Sequence, residues 1–386
     1  MIRQYRLRNY NFRLLLWVFS LSILGVLLVG SANRSLMLRQ LFGVVLGVSA
    51  MIAVSLMDYS WIMHFKWIFY AANLVMLALV ILNGHSSHGA TRWIQVGPIV
   101  IQPVEVTKVL LVIFFAGYFM ERENELNDIK TILKSIVLAA APLSLIFMQP
   151  DLKNTLTILV IFAILYYVAG ISYKVIAIIV LILTLAGGSL ALYLFNVETK
   201  PFFLRDYQWE RVIAFRSTDN ESSQDDNRQQ LNSVMAIGSG MLTGKGLNND
   251  DAQSANKGNF ISEIDNDFIF AVAGEEMGFI GCAGIILLLL LVVLECIRTG
   301  SRAKDLAGRL IGCGIGAIIA IQSFINIGVA TMLLPNTGTP LPFISYGLTS
   351  LVSLHIGIGF VLNVGLQTRI RLADVRAGRF GKDGSL

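Results

Sequence analysis

The sequence predicts an all-α integral membrane protein of ten transmembrane helices, with one large extracytoplasmic loop between spans seven and eight. Three observations carry this. Of the 386 residues, 55% are hydrophobic and only 14% are charged, whereas soluble domains are about a quarter charged. The mean hydropathy is +0.68, and the apolar residues fall in runs of the ~20 that a helix needs to cross a bilayer. The chain has a single long polar stretch, roughly 196–264, and it supplies the loop.

The spans are read at about 14–31, 38–57, 61–83, 101–120, 131–148, 153–170, 174–195, 267–297, 307–333 and 343–366. The first follows a basic start (Arg3, Arg6, Arg8, Arg13), as a signal peptide would. No small-residue cleavage site follows it and nine more spans do, so it is read as a retained helix. One set of short loops and ends is rich in Lys and Arg: the N-terminus, Arg122 and Lys130, Lys174, Arg298, Arg302 and Lys304, and the tail from Arg369 to Lys382. The other set holds Arg34, Arg39 and Arg92. Positive residues stay inside, so both termini are expected in the cytoplasm and the 196–266 loop outside it. Lys66, near the inner end of its span, is expected to snorkel.

Within the loop, Asp219–Asp226 is polar throughout and is expected to be mobile. Arg228–Leu247 alternates apolar and small residues and reads as a short helix followed by a turn, packed at the membrane surface. There is no internal repeat and no soluble domain, so residues 1–386 form one membrane domain. The three cysteines lie in apolar spans and make no disulfide or metal pattern. The net charge of +5 is explained by basic helix ends and calls for no nucleic acid.

Four constellations could carry chemistry. In NFISEIDNDFIFAVAGEEMGFIG, Glu263, Asp265 and Asp267 stand at the mouth of span eight. Asp267 is there either as a helix cap or as a general base in a partly dry site. In span four, Pro103 suits a first helical turn, and Glu105 and Lys108 share a face. They form either a structural ion pair or part of a cavity. Arg92 beside Trp93 is an interfacial anchor or a phosphate contact. In QPDLKN, Asp151 is a cap or a site residue. From Leu334 to Gly347 three prolines in eight residues exclude a straight helix, so this segment is a stiff connection buried in protein or lining a cavity. Gln322, Asn326 and His355 are read as helix–helix hydrogen-bonding groups. The polar groups that need explaining all fall on the outer half, and no Walker, nucleotide or metal-ligand motif accompanies them.

At these residues the chain resembles the SEDS (shape, elongation, division and sporulation) family of peptidoglycan glycosyltransferases, the RodA/FtsW/SpoVE type, over nearly its whole length. GATRWIQVGPIVIQPVEVTK is similar to the family's G-A-x-R-W-I … Q-P-S-E-x-x-K, and QPDLKNT to Q-P-D-L-G-T. AIGSGMLTGKGL … NDFIFAVAGEEMGFIG is similar to A-I-G-S-G-x-x-x-G-K-G … T-D-F-I-F-A-x-x-G-E-E-L-G. NIGVATMLLPNTGTPLPFISYGLTS is similar to N-I-G-x-x-x-x-L-P-x-T-G-x-P-L-P-F-x-S-Y-G-G-S-S. The departures are Asn266 for Thr, Val104 for Ser, Lys153 for Gly, Leu348 for Gly, Asn232 for Gln, and Asn259 where FtsW-type members carry an acidic residue. The short N-terminus and Asn259 lean toward RodA.

The resemblance implies a polymerase that uses lipid II, a disaccharide-pentapeptide on undecaprenyl pyrophosphate, and builds β-1,4 links with inversion during elongation or division. It implies Asp267 as the catalytic residue, with Glu105 and Lys108 beside it. It implies Arg92 and Asp151 as substrate contacts. Pyrophosphate charge that grows in such a reaction calls for cations beside it, Lys108, Arg92, Arg211, Lys245 or a divalent metal, Mg or Mn, and Ser345 is a further candidate substrate contact. The partners implied by the resemblance are a class B penicillin-binding protein and other elongasome or divisome membrane proteins. The implied location is the bacterial inner membrane. A lipid II flippase and a non-catalytic scaffold are the competing readings. No inverted repeat, and charges on the outer half rather than at the midplane, count against the flippase. An intact Asp267, Glu105 and Lys108 count against the scaffold.

Overall fold

The structure, a computed structural model, describes residues 10–87, 90–96, 99–149, 151–197, 199–201, 209, 224–248, 261 and 263–367. The helices are α1 (Phe12–Ala32), α2 (Met37–Leu56), α3 (Tyr59–His64), α4 (Lys66–Asn83), α5 (Pro103–Glu121), α6 (Ile129–Met148), α7 (Leu152–Ala169), α8 (Tyr173–Asn196), α9 (Gln224–Ser239), α10 (Ile269–Ser301), α11 (Leu306–Ala330) and α12 (Leu348–Leu366). Eight of them, α1, α2, α5, α6, α7, α10, α11 and α12, are long and apolar enough to cross a membrane. The predicted spans 61–83 and 174–195 fall on α3–α4 and α8. Helices are the form such sequences must take, because lipid offers no partner for an open backbone.

The chain is not all-α. Between the third and fourth predicted spans lies a three-stranded antiparallel sheet: β1 (His85–Ser87), β2 (Ala90–Val96) and β3 (Ile99–Ile101). Ile94 pairs with Ile101 and Ser86 with Thr91. The stretch is rich in β-branched residues, with Gly97-Pro98 between β2 and β3 in sequence, and this is strand-and-turn composition. It is too short and too polar to register in a search for spans.

Three further expectations change. Span three breaks at Phe65, whose N–H turns back to Ile62 O at 3.0 Å, so α3 and α4 are separate. Lys66 does not snorkel into water. It is 5% exposed and pairs with Glu121. The last span begins at Leu348, not 343, because residues 334–347 keep an irregular path. The expected short helix and turn in the loop are present as α9 and the residues that follow it.

α5 is the heart of the bundle. It packs against α4, α7, α11 and α12, and 83% of its apolar window is buried. Its polar groups therefore meet protein and not lipid. α12 lies along α2, and α10 lies along both α11 and α1. Asn11, which caps α1, donates to Glu295 Oε1 at 2.9 Å, and Ser31 at the other end of α1 donates to Glu276 Oε1. Large apolar side chains such as Phe19, Ile23, Val137, Ile280 and Leu290 are exposed on the outward faces. They form the apolar surface a bilayer would cover.

Candidate active site at one end of the bundle

The starts of α5, α7 and α10, the sheet and the 334–347 segment gather at the same end. Pro103 opens α5, where its missing N–H costs nothing. The i, i+3 spacing then sets Glu105 and Lys108 side by side. Lys108 Nζ donates to Glu105 Oε1 at 2.7 Å, and the two side chains are 1% and 3% exposed. A lone charge at such depth would cost several kcal/mol, so each ion needs the other. Neighbouring helices complete the pair. Gln322 of α11 donates to Glu105 Oε2 at 3.2 Å, and Lys108 donates to Asn154 Oδ1 of α7 at 3.4 Å.

At the head of α7, Asp151 is the cap. Its carboxylate accepts from Asn154 N at 3.4 Å and from Asn154 Nδ2 at 2.8 Å. It also faces Arg92 of β2, with Nε 3.7 Å from Oδ2. Asp151 is therefore both cap and site residue. Two positions on, Lys153 reaches across to the proline-rich segment and donates to Gly338 O. Its ammonium lies in the field of Asp151, Asp267, Arg92 and Glu105.

Asp267 sits in the turn that precedes α10. The cap of α10 is Phe268, so capping is not the task of Asp267. The turn is fastened from two directions. Asn326 of α11 donates to Asp267 O at 2.8 Å and to Thr339 O at 2.7 Å. Ser345 Oγ donates to Asn266 O at 2.6 Å and accepts from Leu341 N at 2.7 Å, and Tyr346 N donates to Asp265 O at 2.9 Å. The side chain of Asp267 then lies against Gly338, which has φ +65°. A methyl group there would stand 2.7 Å from Asp267 Oδ2 and 3.5 Å from Lys153 Nζ. Three carboxylates (Glu105, Asp151, Asp267) and three cations (Arg92, Lys108, Lys153) thus meet around irregular backbone. Such a site can hold a phosphorylated ligand and accept a proton beside it.

Comparison with known proteins identifies the family. The model of the FtsW/RodA/SpoVE cell cycle proteins matches residues 9–370. The chain belongs to that family. A protein of Escherichia coli O6:H1 described as a probable peptidoglycan glycosyltransferase FtsW is 31% identical over 389 residues, covering 95% of this chain and 89% of its own length. One solved structure, from work on the structural coordination of polymerization and crosslinking by a peptidoglycan synthase complex, matches with a TM-score of 0.75 at 25% identity, covering 92% of this chain and 97% of its own. The fold is also that of a Thermus thermophilus rod shape determining protein RodA, with a TM-score of 0.67 at 24% identity over 92% of this chain and 97% of the other. The chain is a multi-pass membrane protein of this family. The lean toward RodA is left unresolved, since the sequence relative is named FtsW and the structural neighbour RodA.

Asp267, Glu105, Lys108, Arg92 and Asp151 lie together at this end of the bundle. Lys245 does not join them. It pairs with Glu275 at 2.8 Å, two turns of helix or roughly 11 Å further along α10. With Lys245 N donating to Glu275 O at 3.0 Å, it holds the glycine-rich segment to the break in α10 at Gly278. Ser345 is 5% exposed, and its hydroxyl is spent on the latch just described rather than offered to a ligand. Arg211 and Asn259 lie outside the described residues. Gln322 joins α11 to Glu105 of α5 as a helix–helix group, whereas Asn326 reaches the backbone of Asp267 and Thr339, outside any helix. His355 meets Ser22 of α1 at 3.2 Å. Lys153 was not singled out as a site residue. Its signal was a cation two residues past an aspartate at a span entrance, where the family motif has glycine.

Proposed function

We propose that this protein is a peptidoglycan glycosyltransferase that polymerises lipid II. The names of its relatives support the activity, and one observation carries the mechanism: Asp267 is held by its backbone at the meeting point of three charged helix entrances. In this reading the acceptor sugar hydroxyl gives its proton to the Asp267 carboxylate. The hydroxyl oxygen bonds to the donor's anomeric carbon as that carbon's bond to the pyrophosphate oxygen breaks. The electron pair leaves with undecaprenyl pyrophosphate, and the configuration inverts from an α-linked donor to a β-1,4 link. Pyrophosphate charge grows in this step, so a cation aimed at it lowers the barrier. Arg92, 17% exposed, is the phosphate contact. Lys108 is enclosed and faces Glu105 and Asn154, so the Glu105–Lys108 pair acts by positioning the wall of the site.

Among the described residues no three His, Cys, Asp or Glu side chains converge on one point as a divalent-cation ligand set. No step is therefore routed through such a cation. The excess of basic residues at the end opposite the site supports a site facing outward and both termini in the cytoplasm, which requires α3–α4 and α8 to cross as well, giving ten spans. The crosslinking partner in the related synthase complex supports pairing with a class B penicillin-binding protein.

The test is glycan polymerisation from purified lipid II in reconstituted membranes. The cognate penicillin-binding protein is present with its transpeptidase inactivated, and other glycosyltransferases are absent. Wild type is expected to make long glycan and folded Asp267→Ala at least 10²-fold less. An Asp267→Ala protein that polymerises normally removes the base. A wild type that moves lipid II across the bilayer and makes no polymer removes the enzyme.

A further inference from the structure

Lys153 has no part in the reaction as derived above, yet it occupies the centre of the site. It enters from the second residue of α7 and ends on the Gly338 carbonyl. Asp267 Oδ2 lies on the other side of the same glycine. A Cβ at Gly338 would be 2.7 Å from that oxygen and 3.5 Å from the ammonium, so the two heads share the space that the missing side chain leaves. The two contacts hold the heads no further than roughly 6 Å apart, at the outer edge of the range over which an opposite charge favours an ionised carboxylate. The circuit closes through α11, because Asn326 donates both to Thr339 O, next to Gly338, and to Asp267 O.

The surrounding charges are accounted for by element. From α5 come Glu105 and Lys108, which are bound to each other. From β2 comes Arg92, which faces Asp151 at the head of α7. The turn itself carries Glu263 and Asp265, both of the same sign as Asp267. α11 contributes neutral Gln322 and Asn326. Lys108 and Arg92 are each engaged by another carboxylate, and Lys153 is the cation set between Asp151 and Asp267.

We propose that Lys153 is a positioning residue for the transferase base: its ammonium, anchored on the Gly338 carbonyl, holds the Asp267 carboxylate in place and in the ionised form that accepts the acceptor's proton. The proposal rests on Asp267 being that base. It predicts an effect on turnover and on its pH dependence, not on lipid II affinity.

The experiment is the polymerisation rate against pH for wild type, Lys153→Met, Lys153→Arg and Asp267→Ala, each checked for a folded, monodisperse elution in detergent. Lys153→Gln replaces Lys153→Met if the latter fails that check. Removing the cation is expected to move the acidic limb of kcat upward by about one pH unit or more. The rate should fall at least tenfold on the acidic side, recover as pH rises, and leave KM for lipid II within about twofold. Lys153→Arg should keep the wild-type limb. An unmoved limb in Lys153→Met overturns the proposal. So does a raised KM with a pH-independent loss of rate, since that marks a phosphate contact. If Asp267→Ala is inactive and the limb is unmoved, Lys153 alone is misassigned. If Asp267→Ala is active, the base is misassigned and this proposal falls with it.

Discussion

The two ends of the bundle treat charge differently. At the site end one ion pair, Lys108–Glu105 in the first turns of α5, is enclosed on both sides, with exposures of 1% and 3%. At the opposite end, charged groups cap helices or keep one partner wet. Lys66 is 6% exposed by its side chain, but its partner Glu121 is 50% exposed. Asp305 caps α11 through Gly308 N at 2.8 Å and accepts from Tyr59. Asp58 caps α3. An ion pair with one wet member loses little when broken, while a sealed pair strands a charge. A sealed pair is a weak source of stability on its own, which points to a task beyond holding helices together.

The largest break in this contrast comes from opening the sealed pair. Glu105→Gln strands Lys108 and is expected to cost roughly 3–5 kcal/mol, read as thermal or denaturant unfolding in detergent. The double variant Glu105→Gln/Lys108→Gln should recover much of that loss, and strictly additive costs would mean that the two ions do not depend on each other. Next comes Gly338→Ala. Its backbone is left-handed, which alone costs about 1–2 kcal/mol for a residue with a side chain, and its methyl would press on Asp267 Oδ2. Polymerisation is expected to drop at least tenfold. Gly170→Ala makes the control, because Gly170 is also left-handed (φ +88°) but has nothing within 4 Å of its would-be Cβ. It should cost stability and spare activity, and equal losses of activity in both would show that strain alone explains Gly338.

A smaller effect is expected at the opposite end. Lys66→Met leaves a half-exposed Glu121 that water can serve, so the change should stay within about 1 kcal/mol with polymerisation unaltered. The smallest effect concerns pH. Burial raises the pKa of Asp58, but hydrogen bonds from Gln367 and Ser60 and the nearby Lys304 outweigh it and hold it below the ordinary carboxylate value. A lowered native pKa adds stability at neutral pH that is lost as pH falls, so the loss should appear only below about pH 4. Asp58→Asn should flatten that acid limb in thermal unfolding, and an unchanged limb would show that Asp58 does not contribute to it.

Local rules made much of this legible in the sequence. Pro103, Glu105 and Lys108 lie within six residues of one another, and helix geometry alone predicts the shared face of Glu105 and Lys108. Asp151 follows the rules for caps, and the prolines between 335 and 342 exclude a helix there. What stayed hidden depends on partners far along the chain. Lys153 finds Gly338 across 185 residues, and Asn326 finds Asp267 across 59. Ser345 looked like a ligand group because its hydroxyl is chemically suited to one, and only the approach of Asn266 shows that it is a fastener. The sheet was missed for another reason, since a scan for apolar runs of membrane length passes over three strands of three to seven residues.

α10 is 33 residues long but breaks at Gly278, and the part beyond the break is itself about 35 Å at helical rise, enough for a hydrocarbon layer of about 30 Å. α1 bonds to Glu295 and Thr299 near one end of α10 and to Glu276 near the other, and Phe279 and Ile280 are the first of its large side chains to face outward, at 68% and 58% exposure. In the orientation proposed above, the turns before Glu276 stand above the acyl chains and carry Asp267 to the height of lipid headgroups. The prenyl pyrophosphate of the proposed reaction presents its phosphates at that height. Its sugars can react there while the tail stays dissolved in the bilayer, and the enzyme is spared the work of pulling a long hydrocarbon chain into water.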